Sequence, residues 1–197
     1  MTGVLVALEG PKLVGKTTLV DRLREYAPSQ DWVFTKEPTA AFDLANEELA
    51  EGLTLAVKIA DDRAHHISTE IGPALSEGRV VITDRFVLSS FVFHCGDGVE
   101  ASAIKALNRD FPPPDIVVIL MCSPNSLRQR REARGISTRL STKMTAEQEL
   151  VTYLEYADLC RPASNEVLIG YNERMGDCDA LAKRIIFEIE QQRTANV

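Results

Sequence analysis

Eight consecutive residues, Gly10-Pro11-Lys12-Leu13-Val14-Gly15-Lys16-Thr17, match the pattern GxxxxGK[ST] in full. A short apolar run, Val4 to Leu8, precedes them, and a helical pattern beginning at Lys16 follows. In that setting the chemistry is phosphate capture. Backbone N–H groups of a tight loop, together with a helix N-terminus, surround an anion. The expected nucleotide-binding set is Gly10, Lys12, Val14, Gly15, Lys16, Thr17 and Thr18. Lys16 supplies a charge to the β and γ phosphates, and the Thr17 hydroxyl is a ligand for Mg²⁺.

A second chemical signal stands at Thr83-Asp84-Arg85-Phe86, where the apolar run Arg79 to Thr83 ends. An acid followed directly by an arginine at the C-terminal edge of a parallel strand faces the ligand crevice of an open sheet. Asp84 can hold Mg²⁺ through water or orient Arg85, and Arg85 can clamp a phosphate with two parallel hydrogen bonds. The DxxG and NKxD motifs of a GTPase are absent from the sequence. A motor ATPase usually has a longer core, with four apolar residues leading to its acidic metal partner.

A third signal is the run Arg128-Gln129-Arg130-Arg131-Glu132-Ala133-Arg134, followed by Arg139. Arg130 and Arg134 are four apart and share a helix face. A lid over about residues 128–142 would carry Arg130, Arg134 and Arg139 over the phosphates, offset transition-state charge and exclude water. The competing reading is a solvated basic face.

These residues need positioning elements, and the order of signals is strand alternating with helix. Val4–Leu8, Trp32–Phe34, Arg79–Thr83, Asp115–Leu120 and Glu166–Ile169 read as buried strands. Helical patterns run from Lys16 to Tyr26, from Ala41 to Ala50, and from Leu53 to Ser76 with an interruption near Gly72-Pro73. Others cover Phe86–Phe93, Val99–Arg109, Thr145–Leu159 and Asp179–Gln192. Ser123-Pro124 reads as an N-cap followed by proline at the first helical position. The expectation is an α/β fold: a five-stranded parallel sheet with helices on both faces, in one domain over residues 1–197.

Composition agrees with an ordinary globular domain. Of 197 residues 45% are hydrophobic and 26% charged, which excludes disordered and collagenous classes. The net charge of −7 argues against a nucleic-acid polymer as partner. Four cysteines without a CxxC pair read as reduced thiols in a cytoplasmic protein. The opening apolar run is too short for a signal peptide, and no stretch is long enough for a membrane span.

In order along the chain stand Glu9-Gly10, the loop ending Gly15-Lys16-Thr17-Thr18, Thr35-Lys36-Glu37-Pro38, Ala60-Asp61-Asp62-Arg63-Ala64-His65-His66, and Asp84-Arg85-Phe86 with Ser89-Ser90. Together they resemble the thymidylate kinase family over roughly residues 3–190. The resemblance implies a P-loop NTPase fold of the nucleoside monophosphate kinase type, ATP with Mg²⁺ as donor, dTMP as acceptor, and a homodimer. Residue by residue it implies that Arg63 reaches the acceptor's base and Arg85 its 5′-phosphate. Ser89 belongs to the same acceptor segment. Lys36 stands in place of an arginine, Glu37 orients these cations or a Mg²⁺-bound water, and Phe93 lies beside the sugar. His65 and His66 read as helix residues. Leu13 occupies the loop position where some members carry a catalytic arginine, so the lid arrangement is implied.

Three positions depart from the family's pattern. Lys12 replaces a carboxylate that receives the sugar 3′-hydroxyl. Ile59 replaces an aromatic that stacks on thymine. His94 replaces a glutamine that can read a pyrimidine edge. All three are on the acceptor side. The leading reading is therefore phosphoryl transfer from ATP to dTMP. One alternative keeps this chemistry with another nucleoside monophosphate, a modified nucleotide or a nucleoside. The other is an idle nucleotide-binding regulatory or assembly protein.

Overall fold

The computed structural model describes residues 3–27, 31–43, 45, 49–137, 139–160 and 166–195. Five strands form one parallel sheet: β1 (Val4–Glu9), β2 (Trp32–Lys36), β3 (Val80–Asp84), β4 (Ile116–Met121) and β5 (Glu166–Tyr171). Their order is β2-β3-β1-β4-β5, with β1 in the middle. Every residue of β1 and β4 is buried, as expected of strands covered on both faces. Side chains alternate along β1. Val4, Val6 and Leu8 join the larger core with Leu19, Leu23 and Ile185. Leu5 and Ala7 face a second cluster with Ile71, Ala74 and Phe86.

The helices are α1 (Lys16–Tyr26), α2 (Gly52–His66), α3 (Gly72–Ser76), α4 (Val87–Gly96), α5 (Ala101–Asn108), α6 (Pro124–Ala133), α7 (Ala146–Cys160) and α8 (Asp177–Ala195). Two starts follow local chemistry. Ser123 accepts a hydrogen bond from Ser126 N at 3.1 Å, with Pro124 at the first helical position. Thr145 and Gln148 cap each other reciprocally ahead of α7. The interruption expected near Gly72-Pro73 is a π-helical turn over Ile67–Ile71, after which helix continues. Pro73 lacks an N–H and its ring crowds the carbonyl four residues back, so the turn widens to accommodate it. Gly72 donates to Ile67 O, and a Cβ at Gly72 would lie 2.8 Å from that oxygen. The helix expected over Ala41–Ala50 includes residues 44 and 46–48, which lie outside the described residues.

Register brings three strand ends together. Leu8 pairs with Asp84, and Lys36 pairs with Asp84 from the other side. The sequences leaving β1, β2 and β3, which are Glu9-Gly10, Lys36-Glu37 and Asp84-Arg85, therefore emerge side by side at the C-terminal edge. In a parallel sheet wound both ways from its middle, that edge is where a ligand crevice opens.

Candidate active site

The phosphate loop is shaped by its backbone. Gly10 and Gly15 have φ of 132° and 118°, and Leu13 has φ of 72°. A Cβ at Gly10 would lie 2.4 Å from Leu120 O, and one at Gly15 2.1 Å from Asn172 Nδ2. Only glycine fits these two positions. Helix α1 begins at Lys16 with no side-chain cap on its first turn, which leaves its N–H groups facing the loop's interior. Val14 is buried, and it acts through its carbonyl, which accepts from Asn172 Nδ2 at 2.8 Å. Thr17, Thr18 and Lys12 are exposed at the cleft mouth.

Lys16 is buried and donates to Gly10 O at 2.8 Å and Pro11 O at 3.1 Å. Its Nζ is 3.9 Å from Asp84 Oδ1. Burial, with the Arg85 charge adding to it, lowers the Lys16 pKa to about 7. Asp84 Oδ1 is buried and has no hydrogen-bond partner among the described residues. An anionic oxygen left without a donor beside a phosphate loop is suited to a cation or its water shell, so Asp84 and Thr17 fit Mg²⁺. No group of three His, Cys, Asp or Glu residues that could hold a metal occurs among the described residues. A Mg²⁺ ion that arrives on a triphosphate needs only one or two protein ligands.

Arg85 follows Asp84 with φ of 78°, an uncommon backbone for a bulky side chain. Its N–H bonds Leu8 O at 2.9 Å. Nη1 donates to Ser89 Oγ and to Tyr153 OH, both at 3.0 Å, and the guanidinium lies over the Phe93 ring. Nε and Nη2 have no partner among the described residues and remain for a ligand. Burial opposes the Arg85 charge, but Tyr153, Asp84 and Glu9 outweigh it and raise its pKa. Burial likewise pushes Tyr153 up to about 12. Beneath Arg85, Glu9 is fully buried and accepts from Phe86 N at 2.9 Å, Ser89 N at 3.3 Å and Ser89 Oγ at 2.5 Å. Burial raises the Glu9 pKa, which Ser89 and Arg85 partly offset.

The opposite wall is a network centred on Arg63, which is 1% exposed. Nε and Nη2 bind Glu37 Oε2 at 2.8 and 2.6 Å, Nη2 reaches Ser90 Oγ at 3.1 Å, and Nη1 donates to Asn108 Oδ1. His66 Nδ1 stands 3.3 Å from Glu37 Oε1, while its Nε2 meets Thr35 Oγ1 at 2.7 Å. His66 is thus a packed partner of the site carboxylate rather than a group in the cleft. His94 is buried, and burial, reinforced by the Arg63 and Arg139 charges, lowers its pKa to about 4. It is neutral near pH 7.

One cleft of about 800 Å³ is lined by Lys12, Lys16, Thr17, Lys36, Glu37, Ile59, Arg63, Asp84, Arg85, Ser89, Phe93, His94, Arg134 and Arg139. The sequence-predicted residues therefore converge, apart from Gly10 and Val14, which are buried in the phosphate loop and do not line the cleft, and one residue of the arginine run. Arg130 points behind the phosphate loop, where Nη1 donates to Val14 O at 2.9 Å and Nη2 to Asn172 O at 2.6 Å. Arg134 is exposed at the cleft. Arg131 is buried against Glu149 between them. The shared face of Arg130 and Arg134 does not give a shared target, because α6 ends at Ala133 and Arg134 lies beyond it.

Sequence reading did not place Glu9, Tyr153, Asn172 or Asp97 in the site. Glu9 had a visible signal: a charged residue ending an otherwise apolar buried strand. The others come from distant elements, and local pattern does not mark them.

The sheet order, the phosphate loop and the Asp84-Arg85 edge define a P-loop phosphotransferase fold. A family profile described as thymidylate kinase matches residues 8–170. A probable thymidylate kinase of Pyrococcus abyssi is 31% identical over 174 residues, covering 81% of this chain and 85% of that one. A thymidylate kinase of Brachyspira hyodysenteriae is 30% identical and covers 98% of this chain and 96% of that one. The crystal structure of thymidylate kinase from Ehrlichia chaffeensis superposes with a TM-score of 0.68 at 20% identity, covering 96% of this chain and all of that one. The chain belongs to the thymidylate kinase family.

Proposed function

We propose that this chain transfers the γ-phosphoryl group of MgATP to dTMP, giving ADP and dTDP. The observation that carries this reading is the convergence of Lys16 and Arg85 at one crevice from adjacent strands, in a member of this family. The phosphate loop and Lys16 hold the triphosphate. Nε and Nη2 of Arg85 meet the acceptor phosphate, and Ser89, Glu9 and Tyr153 fix the direction of its guanidinium. Arg63 and Glu37 form the floor on which the acceptor rests, and Lys36 adds charge at the rim. Arg134 approaches from the arginine segment to offset charge on the transferring group. Bound Mg²⁺ supplies further neutralisation of the triphosphate, held near Thr17 and Asp84. Positioning and charge, rather than a strong base, carry phosphoryl transfer.

A cytoplasmic homodimer belongs to the same proposal and rests on the family resemblance and the cysteine usage. No helix among the described residues is long and apolar enough to cross a membrane.

Lys12 and His94 favour a second reading with another acceptor. Lys12 is exposed at the cleft without an ion-pair partner among the described residues, and His94 Nδ1 is buried without a hydrogen-bond partner. A coupled ADP-release assay with a panel of nucleoside monophosphates and nucleosides separates the two. A dTMP-led profile supports the first, and a profile led by another acceptor supports the second. Acceptor-dependent turnover abolished in Lys16→Ala eliminates an idle nucleotide-binding role.

A further inference from the structure

The arginine segment is fastened at its far end. Asp97, at the C-terminal end of α4, has a side chain only 3% exposed and is held by two cations. Arg139 Nη2 lies 2.8 Å from Asp97 Oδ2 and its Nε 3.3 Å from Oδ1, while Lys143 Nζ lies 2.6 Å from Oδ1. Arg139 Nη1 also donates to Ala50 O at 3.0 Å, just ahead of α2. Packing follows the charges. A Cβ at Gly96 would lie 3.1 Å from Leu140 Cδ2 and 3.2 Å from Met144 Cε, so the absence of a side chain lets this segment close on α4.

The fastening lies beside His94, which is one helical turn before Asp97 and has a buried Nδ1 with no hydrogen-bond partner among the described residues. Asp97, Arg63 and Arg139 are the charged groups that act on His94, and the same cleft includes apolar side chains of Leu55 and Ile59 from α2. Apolar side chains pack on a planar base, and placed polar and charged groups beside them fix its orientation. Moving Arg139 to the phosphates would strip a buried carboxylate of its bidentate partner, a costly exchange. Arg134 has no such tie. It is exposed in the cleft and has no ion-pair partner among the described residues.

We infer that Asp97 and Arg139 are a positioning pair for the acceptor end of the cleft, holding the root of the arginine segment on α4 beside His94, and that Arg139 does not travel to the phosphoryl group. The inference rests on the proposed kinase reading and divides the arginines by task. Arg134 serves transfer, Arg130 braces the phosphate loop, and Arg139 shapes acceptor selection.

The test is steady-state kinetics with MgATP and each nucleoside monophosphate on Arg139→Gln, Asp97→Asn, the double variant and Arg134→Met. The expected result for Arg139→Gln and Asp97→Asn is a dTMP KM raised about tenfold or more, with kcat and the MgATP KM within about threefold. Discrimination among monophosphates narrows in both. The double variant is no worse than either single one, as for two halves of one interaction. Asp97→Glu recovers part of the loss. Arg134→Met instead lowers kcat about a hundredfold with little change in the dTMP KM. If Arg139→Gln loses kcat on the Arg134→Met scale with its dTMP KM unchanged, the inference is overturned. Independent, multiplying losses from Asp97 and Arg139 overturn the pairing. Should Asp97→Asn fail to fold, Arg139→Gln and Asp97→Glu carry the test. Wild-type protein that turns over another monophosphate but no dTMP overturns dTMP as the acceptor instead, and the same variants are then compared on that monophosphate; turnover of no acceptor at all overturns the kinase reading on which the inference rests.

Discussion

The donor and acceptor halves of the cleft are built from different materials. The donor half is mostly main chain: two glycines at positive φ, carbonyls that hold Lys16, and the open first turn of α1. The acceptor half is side chain on side chain, with Glu37 held by Arg63, Asp97 by Arg139 and Lys143, and Arg85 by Ser89 and Tyr153. A main-chain site leaves little room for substitution, since any Cβ at Gly10 or Gly15 meets a polar atom. A side-chain site can exchange residues while its frame stays. Ile59 and His94, two of the three departures from the family's pattern, belong to the exchangeable half, and the third, Lys12, is an exposed side chain on the phosphate loop, free to exchange while the loop's main chain stays.

The contrast can be tested first where it is strongest. Lys16→Ala removes a buried cation of the donor half, and turnover should fall by about 10³-fold or more in the ADP-release assay. Arg85→Lys probes the acceptor half. Lysine keeps the charge but loses the planar fork and its two tethers, so the dTMP KM should rise about a hundredfold with the MgATP KM unchanged. A matching change in both constants would show the halves to be one unit. Gly15→Ala tests the main-chain claim, with φ of 118° and Asn172 Nδ2 2.1 Å from the new methyl. It should lower stability by about 2–3 kcal/mol in a thermal melt and weaken the stabilisation conferred by ATP.

The smallest effect concerns pH. The Lys16 pKa is lowered to about 7, and in the proposed mechanism its protonated form binds the triphosphate. Below that value Lys16 is already charged and ATP affinity should be flat. As pH rises through 7 binding must take up a proton, so affinity should fall by up to about tenfold per pH unit. Calorimetry in two buffers of different ionisation enthalpy reads that proton directly. Flat affinity between pH 7 and 9 would show that Lys16 keeps its charge when buried.

All five strands were legible in the sequence, because buried parallel strands are continuous apolar runs bounded by turn signals. So was the phosphate loop, whose chemistry is local and whose residues are consecutive. The convergence of Lys36, Glu37, Arg63, Arg85 and His94 on one cleft followed from the family resemblance, and the strand register supplies its physical cause. What could not be read was the division of the arginines. Arg130, Arg134 and Arg139 are alike in type, and their tasks depend on Val14 O, Asn172 O and Asp97, which only the fold brings near. Arg63 shows the same limit: nothing in its helix announces that Glu37, Asn108 and Ser90 already hold its guanidinium.

The central place of β1 has a consequence during synthesis. Its neighbours in the sheet, Val80–Asp84 and Ile116–Met121, are translated long after Val4–Glu9. At roughly 5–20 residues per second the interval before both edges are covered is on the order of ten seconds. Throughout it, a segment reading Val-Leu-Val-Ala-Leu has no partner and the composition of an aggregation-prone strand. Yield of folded protein should therefore depend on chaperone supply and on translation speed ahead of β4 more than on the stability of the finished sheet.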